Sequence, residues 1–169
     1  MARVFILLST NQEPEQNLRA CLSLLREKCQ IEQVSSVYET APVGDLYKNN
    51  FLDAVVQLIT DLSPLDFREQ VLGAIETQLG RNRRQPNDGN IPIDLDILLW
   101  DNLSFDYGSK PWHVPDRKIT REIHLARPLA ELAPDYTNPE DGHTLREIAA
   151  SLAETGLILR PDIQLDKHG

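Results

Sequence analysis

Apolar and polar residues follow a strand-then-helix pattern at the start of the chain. Residues 4–8 form an uninterrupted β-branched and aliphatic run ending at Ser9, Thr10 and Asn11, which predicts a buried strand and a turn. Pro14 suits the first turn of a helix, and apolar residues then recur at helical spacing. These residues are Leu18, Cys21, Leu22 and Leu25. The pattern therefore predicts a strand followed by an amphipathic helix.

Two strands and a second helix follow. Residues 31–40 and 51–60 are rich in β-branched and aliphatic side chains, which predicts two strands joined by a loop at residues 41–50. Ser63 and Pro64 suit the N-cap and the first position of a helix. The apolar stripe of this helix and its terminal glycine are Phe67, Val71, Ile75, Leu79 and Gly80.

A polar loop separates the second helix from another apolar strand. Residues 81–92 form a loop of about a dozen residues, whereas loops in compact domains typically contain roughly 4–6. Residues 93–100 then predict a strand. Beyond it, residues 128–132 predict a short helix, and residues 144–154 predict a helix capped by Thr144.

The order of these elements predicts the fold class. The sequence βαββαβ with C-terminal additions indicates a ferredoxin-like α+β sandwich, and we expect residues 1–169 to form a single domain. A doubly wound parallel sheet would need a helix between the second and third strands, where Pro42 and Gly44 lie instead. The chain also lacks a G-x-G-x-x-G or Walker A motif for nucleotide phosphates.

The amino-acid composition limits the kinds of molecule that this protein is expected to bind. The chain has 17 Lys and Arg against 26 Asp and Glu, a formal net charge of −9, which argues against binding to duplex DNA or an anionic membrane. Its two cysteines, Cys21 and Cys29, have neither disulfide-scaffold nor zinc-site spacing. The N-terminal apolar run is too short for a signal peptide or a membrane span. We therefore expect a cytoplasmic protein.

Two aspartates stand out in the strand at residues 93–100. Side chains alternate along a strand, so Asp94 and Asp96 share one face, with α-carbons ~6.5–7 Å apart. Mg²⁺ is commonly held by one or two carboxylates together with substrate phosphates. The alternative is the solvated outer face of an amphipathic strand. Asp is depleted in strands, which keeps the metal hypothesis open.

Three arginines precede this strand in an otherwise acidic protein. Arg81, Arg83 and Arg84 lie in the loop that leads directly to Asp94 and Asp96. Guanidinium groups bind phosphate oxygens bidentately, so arginines beside a carboxylate–metal site are suited to phosphoryl transfer from a nucleoside triphosphate. Solvated charges on an exposed loop remain the alternative.

These residues resemble the 6-hydroxymethyl-7,8-dihydropterin pyrophosphokinases of folate biosynthesis. The signature region is similar to Asp94-Leu95-Asp96-Ile97-Leu98-Leu99, preceded by Glu76 and by Gly80-Arg81-Asn82-Arg83. Further similar positions are Leu8-Ser9-Thr10-Asn11, then Ser36, Tyr38, Thr40, Pro42 and Gly44, and finally Pro128-Leu129-Ala130-Glu131-Leu132-Ala133-Pro134. The resemblance spans most of the chain.

The resemblance implies a reaction and a set of site residues. The family transfers the β,γ-pyrophosphoryl group of ATP to the pterin hydroxymethyl oxygen and leaves AMP. By position, Asp94 and Asp96 are expected to hold two Mg²⁺ ions and to act in catalysis with Arg81 and Arg83. The expected ATP contacts are Glu76, Arg83, Arg84 and Arg121. The expected pterin contacts are Thr40, Pro42, Val43, Phe51, Asp53 and His124, with Phe51 and His124 on either side of the ring.

Several positions depart from the family pattern. Ser9 replaces a glycine, and Asp53 replaces an asparagine, so that position can accept hydrogen bonds but not donate them when ionised. The other departures are Asp88 for Trp, Ile91 for Arg, Asp116 for His and Glu122 for Arg. Because they remove cations or add negative charge near the expected triphosphate, we expect weaker ATP binding or slower turnover.

Two other functions fit parts of the pattern. A non-catalytic or substrate-shifted paralogue would bind a pterin or a nucleotide without the same turnover. An RNA-recognition module shares the ferredoxin-like order, but the chain is acidic and lacks the K/R-G-F/Y-G/A-F-V-x-F/Y run. We therefore expect small-molecule substrates, no nucleic-acid or membrane partner, and a monomer.

Overall fold

A computed structural model describes residues 1–42 and 44–165. The first half of the chain contains β1 (Ala2–Thr10), α1 (Pro14–Lys28), β2 (Gln30–Val34), β3 (Tyr38–Thr40), β4 (Phe51–Thr60), α2 (Pro64–Asp66), a π-helical segment (Phe67–Gly73) and α3 (Ala74–Gln78). The second half contains β5 (Asp94–Trp100), β6 (Phe105–Tyr107), β7 (Trp112–Val114), a 3₁₀ helix (Arg117–Thr120), α4 (Ile123–Leu132), α5 (Leu145–Ser151) and β8 (Leu157–Leu159). No helix in the described ranges is long and apolar enough to cross a bilayer.

The main sheet has the strand order β5-β1-β4-β3-β8, and β2 also pairs with β4. Each of these pairings is antiparallel. This is the order of a ferredoxin-like sheet in which β2 and β3 together take the place of the second strand. The predicted α+β ferredoxin-like fold is therefore confirmed.

Both faces of the sheet are covered. Ile6 and Leu8 of β1 belong to the core cluster that includes Leu18 of α1, whereas Phe5 and Leu7 belong to the cluster of α4 and α5. Alternate residues of a strand point to opposite faces, so a strand buried on both faces becomes apolar at every position. The second face is therefore covered by the C-terminal additions.

The predicted strand at residues 31–40 is interrupted. It forms β2 and β3, which both pair with β4 and are separated around Ser35. The Ser35 backbone N–H donates to the Val55 carbonyl at 2.9 Å, and the Ser35 hydroxyl accepts from the Val55 N–H at 2.8 Å. Because a side chain takes over one backbone hydrogen bond, the strand can break without leaving that group of β4 unpaired.

The second predicted helix forms, but its central residues have a different helical hydrogen-bonding pattern. The Ser63 hydroxyl accepts from the Asp66 N–H as predicted for an N-cap, and Gly80 has a φ of +99° just beyond the C-terminus. Residues 67–73 are π-helical rather than α-helical. Phe67, Val71 and Ile75 are nevertheless all buried. The apolar stripe thus predicted the buried face but not the helical pitch.

The C-terminal helices differ from their predicted bounds. The predicted helix at residues 128–132 is too short, because α4 begins at Ile123 and contains Pro128 in its interior. Proline usually marks the first turn of a helix, and here its missing N–H removes one bond from an otherwise continuous helix. The helix at residues 144–154 ends earlier, at Ser151, and Thr144 forms the expected cap in a capping box. The short strands β6, β7 and β8 were not predicted.

Candidate active site

One cavity of about 340 Å³ opens at the end of the sheet where β1, β3, β4 and β5 meet. Ser9 lies opposite Asp53 on one side and opposite Asp94 on the other. These polar residues continue the sheet face whose apolar residues pack against α4 and α5. The cavity lining comprises Leu7, Ser9, Thr40, Ala41, Pro42, Tyr47, Phe51, Asp53, Asp94, Asp96, Asp116, Lys118, Glu122, His124 and Leu125. The C-terminal additions therefore build one wall of the site.

The structure brings together many of the residues singled out in the sequence. Those in the cavity lining are Thr40, Pro42, Phe51, Asp53, Asp94, Asp96 and His124. Val43 lies outside the described residues. Glu76, Arg81, Arg83 and Arg84 line an adjacent open groove instead, and Arg121 is exposed and lies outside both linings. The functional roles of all these residues remain predictions.

The aspartate pair has the alternation expected of a strand. Asp94 and Asp96 line the cavity, whereas Leu95 between them is buried in the core on the opposite face. Burial is the main cause that raises the pKa of Asp96 from 3.8 to about 7, and the Asp94 and Asp116 carboxylates add to the effect. A nearby cation would relieve this accumulation of negative charge.

The donor set of this pair fits a hard divalent cation. Within residues 1–42 and 44–165, no group of three or more Asp, Glu, His or Cys side chains is arranged to hold a metal ion. Two carboxylates on one strand face are instead the partial set that Mg²⁺ completes with water and substrate phosphates.

The pKa of Asp96 predicts how the stability of the metal-free protein varies with pH. The folded state keeps the Asp96 proton up to about pH 7, whereas the unfolded state loses it near 3.8, so the folded state binds more protons between these values. The contribution of Asp96 to the free energy of unfolding should therefore fall as pH rises from about 4 to about 7 and then level off. In thermal unfolding with EDTA, wild type should lose several degrees more than Asp96→Asn between pH 5 and pH 8. An equal change in the two proteins would contradict the assignment.

Glu76 links the second helix to the aspartate strand and to the arginine loop. It is only 7% exposed, and its Oε2 accepts from the Leu95 N–H and from Arg83 Nη2, each at 3.0 Å. Burial raises the pKa of Glu76, while the bond from Leu95 and the Arg83 charge act in the opposite direction. In this geometry Glu76 positions Arg83 and the start of β5, and its direct contact with ATP remains a prediction.

Two arginines connect the open groove to the cavity. Arg81 Nη1 and Arg83 Nη2 each lie 3.4 Å from Asp94 Oδ1. Arg81 also donates to the Ile93 carbonyl at 3.1 Å, and its side chain is 17% exposed. Arg84 is exposed. Arg81 and Arg83 therefore place positive charge directly beside the aspartate pair, as the loop sequence predicted.

Aromatic residues and a buried carboxyl form the other part of the cavity. Phe51 contacts Tyr47 edge to face, with ring centroids 5.3 Å apart. Asp53 is 1% exposed, and its two oxygens accept from the Ser9 and Thr40 hydroxyls at 2.5 and 2.8 Å. Burial raises the pKa of Asp53, and these two hydrogen bonds and the His124 charge act against it. The result is an aromatic pocket with fixed acceptor atoms.

His124 occupies the first turn of α4, with its side chain 32% exposed. Its Nε2 lies 3.4 Å from Glu122 Oε2. The helix prediction had placed this residue outside any element, because α4 was expected to begin only at Pro128. His124 nevertheless lines the same cavity as Phe51, consistent with the two positions expected for rings on either side of a flat ligand.

Ile91 lines a groove together with Arg81 and Arg83, but the residue is only 5% exposed. The loss of a cation at this position remains a prediction. The Ile91 backbone N–H donates to Asn11 Oδ1 at 2.7 Å, and its carbonyl accepts from the Asn11 N–H at 3.1 Å. The backbone of Ile91 therefore anchors the loop to the end of β1, and an apolar side chain suits the position because it is buried.

The other departures have different environments. Asp88 is exposed, and its Oδ1 accepts from the Asn90 N–H. Asp116 and Glu122 both line the cavity that contains Asp94 and Asp96, and their effect on bound phosphate remains a prediction.

The cavity lining also includes two residues that the sequence did not indicate. Lys118 places a positively charged side chain in the lining. Tyr47 is an aromatic residue in a loop, where no periodic pattern marks it.

Comparison with known proteins places the chain in a family. The family described as 7,8-dihydro-6-hydroxymethylpterin-pyrophosphokinase matches residues 5–134. A 2-amino-4-hydroxy-6-hydroxymethyldihydropteridine pyrophosphokinase of Pseudomonas aeruginosa is 33% identical over 158 residues, covering 92% of this chain and 94% of the relative. The enzyme of that name from Bacillus subtilis is 33% identical over 131 residues, covering 76% of each chain.

Solved structures agree on the fold. A structure described as Plasmodium falciparum HPPK-DHPS wild type with pteroate has a TM-score of 0.71 and 13% identity, and covers 88% of this chain. A structure described as HPPK-DHPS in complex with substrates has a TM-score of 0.68 and 14% identity over 89% of this chain. This chain spans 44% and 43% of their lengths. The sequence and fold together show that the chain belongs to the 7,8-dihydro-6-hydroxymethylpterin-pyrophosphokinase family.

Proposed function

We propose that this protein transfers the pyrophosphoryl group of ATP to the hydroxymethyl oxygen of 6-hydroxymethyl-7,8-dihydropterin, with release of AMP, as a step of folate biosynthesis. One observation carries the proposal. A single cavity joins the Asp94 and Asp96 pair to an aromatic pocket with a buried carboxyl, and two arginines contact Asp94 at its edge. This arrangement suits a reaction in which a phosphate chain meets a flat heterocycle.

Asp94 and Asp96 would hold Mg²⁺, and we propose two ions as in the family to which the chain belongs. When bound, the metal neutralises charge on the phosphate oxygens and orients them for displacement. The chain's own contribution is to place two carboxylate groups on one strand face and to keep Asp96 half-buried. Because that burial disfavours an unpaired charge, the site is prepared for a cation.

Arg81 and Arg83 would stabilise the charge that develops on the transferring group. Both lie 3.4 Å from Asp94 in the ligand-free protein, so a bound triphosphate would compete with that carboxylate for the same guanidinium groups. Glu76 holds Arg83 in place during this exchange. Arg84 and Arg121 are exposed, and we propose them as outer ATP contacts.

The pterin would occupy the aromatic part of the cavity. Phe51 and His124 would lie on either side of the ring, and Thr40, Pro42 and Asp53 would contact its edge. The family resemblance also implies Val43 as a contact in this pocket. We propose that the protein acts on these small molecules as a cytoplasmic monomer. Light scattering at micromolar concentration would test the oligomeric state.

The direct test is an assay with ATP, Mg²⁺ and 6-hydroxymethyl-7,8-dihydropterin. The proposal requires AMP and pyrophosphoryl-pterin to form in equal amounts. Calorimetric binding of the pterin without any turnover would instead identify a non-catalytic paralogue. The acidic residues Asp116 and Glu122 in the cavity favour slow turnover, because negative charge near a triphosphate opposes its binding.

Replacing Phe51 with alanine should weaken pterin binding by roughly 1–3 kcal/mol, because buried aromatic contact area is lost. Nucleotide binding should change much less, since Phe51 contacts Tyr47 and lies away from the arginine groove. Calorimetric titrations with the pterin and with Mg²⁺–ATP would measure both effects. Equal losses for the two ligands would show that Phe51 supports the fold instead of the pocket.

A further inference from the structure

In the part of the chain that the structure describes, Arg68 has no carboxylate partner, although the protein is acidic. It lies half-buried in the π-helical segment, which packs against β5, the strand that carries the aspartate pair. Its side-chain hydrogen bond within residues 1–42 and 44–165 runs from Nη1 to the Tyr107 hydroxyl at 3.3 Å. A guanidinium group has five N–H donors, so most of the donors of Arg68 are available to a ligand.

The β6–β7 hairpin holds this guanidinium group in one orientation. Its central carbon lies 4.1 Å from the centroid of the Trp112 ring, which is the geometry of a cation–π contact. Tyr107 accepts its hydrogen bond from the paired strand opposite Trp112. Gly108 permits the ring to lie there, because a β-carbon at that position would come within 2.5 Å of it. The hairpin is therefore a preformed support for the Arg68 charge.

The supported charge lies near the second aspartate of the pair. Both the π-helical segment and β7 pack against β5. Burial is the main cause that raises the pKa of Tyr107; the Asp96 and Asp116 carboxylates add to the effect, and the Arg68 charge opposes it. The Arg68 charge likewise opposes the burial and the carboxylate charges that raise the pKa of Asp96. Because such interactions weaken with distance, the guanidinium group lies beside the region where the metal is expected.

Acidic side chains outnumber basic ones in this region. Asp94, Asp96, Asp116 and Glu122 line the cavity, and among the described residues Lys118 is the only lysine or arginine in that lining. The two arginines at the cavity edge already contact Asp94. A bound polyphosphate would add further negative charge, which a cation not committed to a carboxylate would offset. The available N–H donors of the supported guanidinium group suit phosphate oxygens, which it can bind bidentately.

We propose that Arg68 binds the phosphate chain of the nucleotide beside Asp96, and that Trp112 and Tyr107 are its positioning residues. This inference rests on the proposed function, in which the aspartate pair holds the metal of a metal–nucleotide complex. Stacking on the indole fixes the plane of the guanidinium group, so less side-chain freedom is lost when phosphate binds. The recognised group is the polyphosphate, and the contact does not require a base.

The test is calorimetric binding of Mg²⁺–ATP and of inorganic tripolyphosphate with Mg²⁺ to the full chain. Arg68→Ala should weaken the binding of both ligands by a similar factor of about 10-fold or more, because a charged hydrogen bond to phosphate is lost. Arg68→Lys should recover part of the loss, since lysine keeps the charge but not the planar fork. Arg146→Ala, which changes an exposed arginine of α5, is the matched control and should change neither affinity.

A double-mutant cycle tests the two positioning residues. Trp112→Leu and Tyr107→Phe should each weaken Mg²⁺–ATP binding about 3-fold in the wild-type background and less than about 1.5-fold in Arg68→Ala, because both act through Arg68. Damage to the fold would instead weaken binding in both backgrounds. The affinity for 6-hydroxymethylpterin should stay the same in all variants, because the proposed contact is to phosphate.

Three results would overturn the proposal: wild type that binds Mg²⁺–ATP but not tripolyphosphate, equal tripolyphosphate affinities of wild type and Arg68→Ala, or equal effects of Trp112→Leu in both backgrounds. The binding assay separates this proposal from the proposed function. Polyphosphate binding that depends on Arg68, without transfer to the pterin, would support the role of Arg68 and refute the pyrophosphokinase activity. Transfer with binding that does not depend on Arg68 would do the reverse, and failure of wild type to bind either ligand would refute both.

Discussion

Replacing Asp96 with alanine is expected to lower the rate of pyrophosphoryl transfer by about 10³-fold or more. The expected loss is several kcal/mol of transition-state stabilisation, because the metal that Asp96 would hold neutralises charge on the transferring group. Asp94→Ala should have a similar effect and should also release Arg81 and Arg83, which both contact that carboxylate. Steady-state production of AMP over a range of Mg²⁺ concentrations would measure both losses.

The fold should survive the Asp96 replacement. Asp96 makes no backbone hydrogen bond through its side chain among the contacts of the described chain. Removing this half-buried carboxyl group also relieves its unfavourable interaction with Asp94 and Asp116. The matched control is Asp61→Ala, which changes an exposed aspartate outside the cavity. Activity of Asp96→Ala within a few-fold of that control would contradict the metal assignment.

Replacing Glu76 with alanine is expected to lower the free energy of unfolding by about 2 kcal/mol and to weaken ATP binding as well. The substitution leaves the buried N–H of Leu95 without its acceptor and removes the partner of Arg83. For a domain of this size, such a change corresponds to a drop in melting temperature of roughly 4–8 °C. Thermal unfolding and calorimetry with Mg²⁺–ATP would measure the two effects.

Two further variants separate the contributions of Glu76 to stability and to ATP binding. Glu76→Gln keeps an acceptor for the Leu95 N–H but loses the charge that holds Arg83, so it should retain more stability than Glu76→Ala. Glu69→Ala changes an exposed residue of the same helix and should alter neither property. A melting temperature of Glu76→Ala equal to that of Glu69→Ala would show that the Leu95 bond contributes nothing to stability.

Local patterns in the sequence were sufficient for the main elements of the fold. Amphipathic spacing identified the helices, and the apolar runs identified β1, β4 and β5, because burial of one or both faces leaves a periodic record in the chain. The same alternation predicted that Asp94 and Asp96 share one face of β5, and both line the cavity. The capping residues Ser63 and Thr144 were also correct, since a cap depends on neighbours within one turn.

Long-range contacts account for what these patterns missed. Ser35 interrupts the strand through its contact with Val55, 20 positions away, and Ile91 is held by Asn11, 80 positions away. Ser9 and Asp53, which bond to each other, are 44 positions apart. Strand register sets which side chains meet, and no local spacing encodes it. Assembly of the cavity likewise requires α4 to cover the second face of the sheet. The residues expected to carry the chemistry could therefore be proposed from the sequence, whereas their mutual geometry depends on tertiary packing.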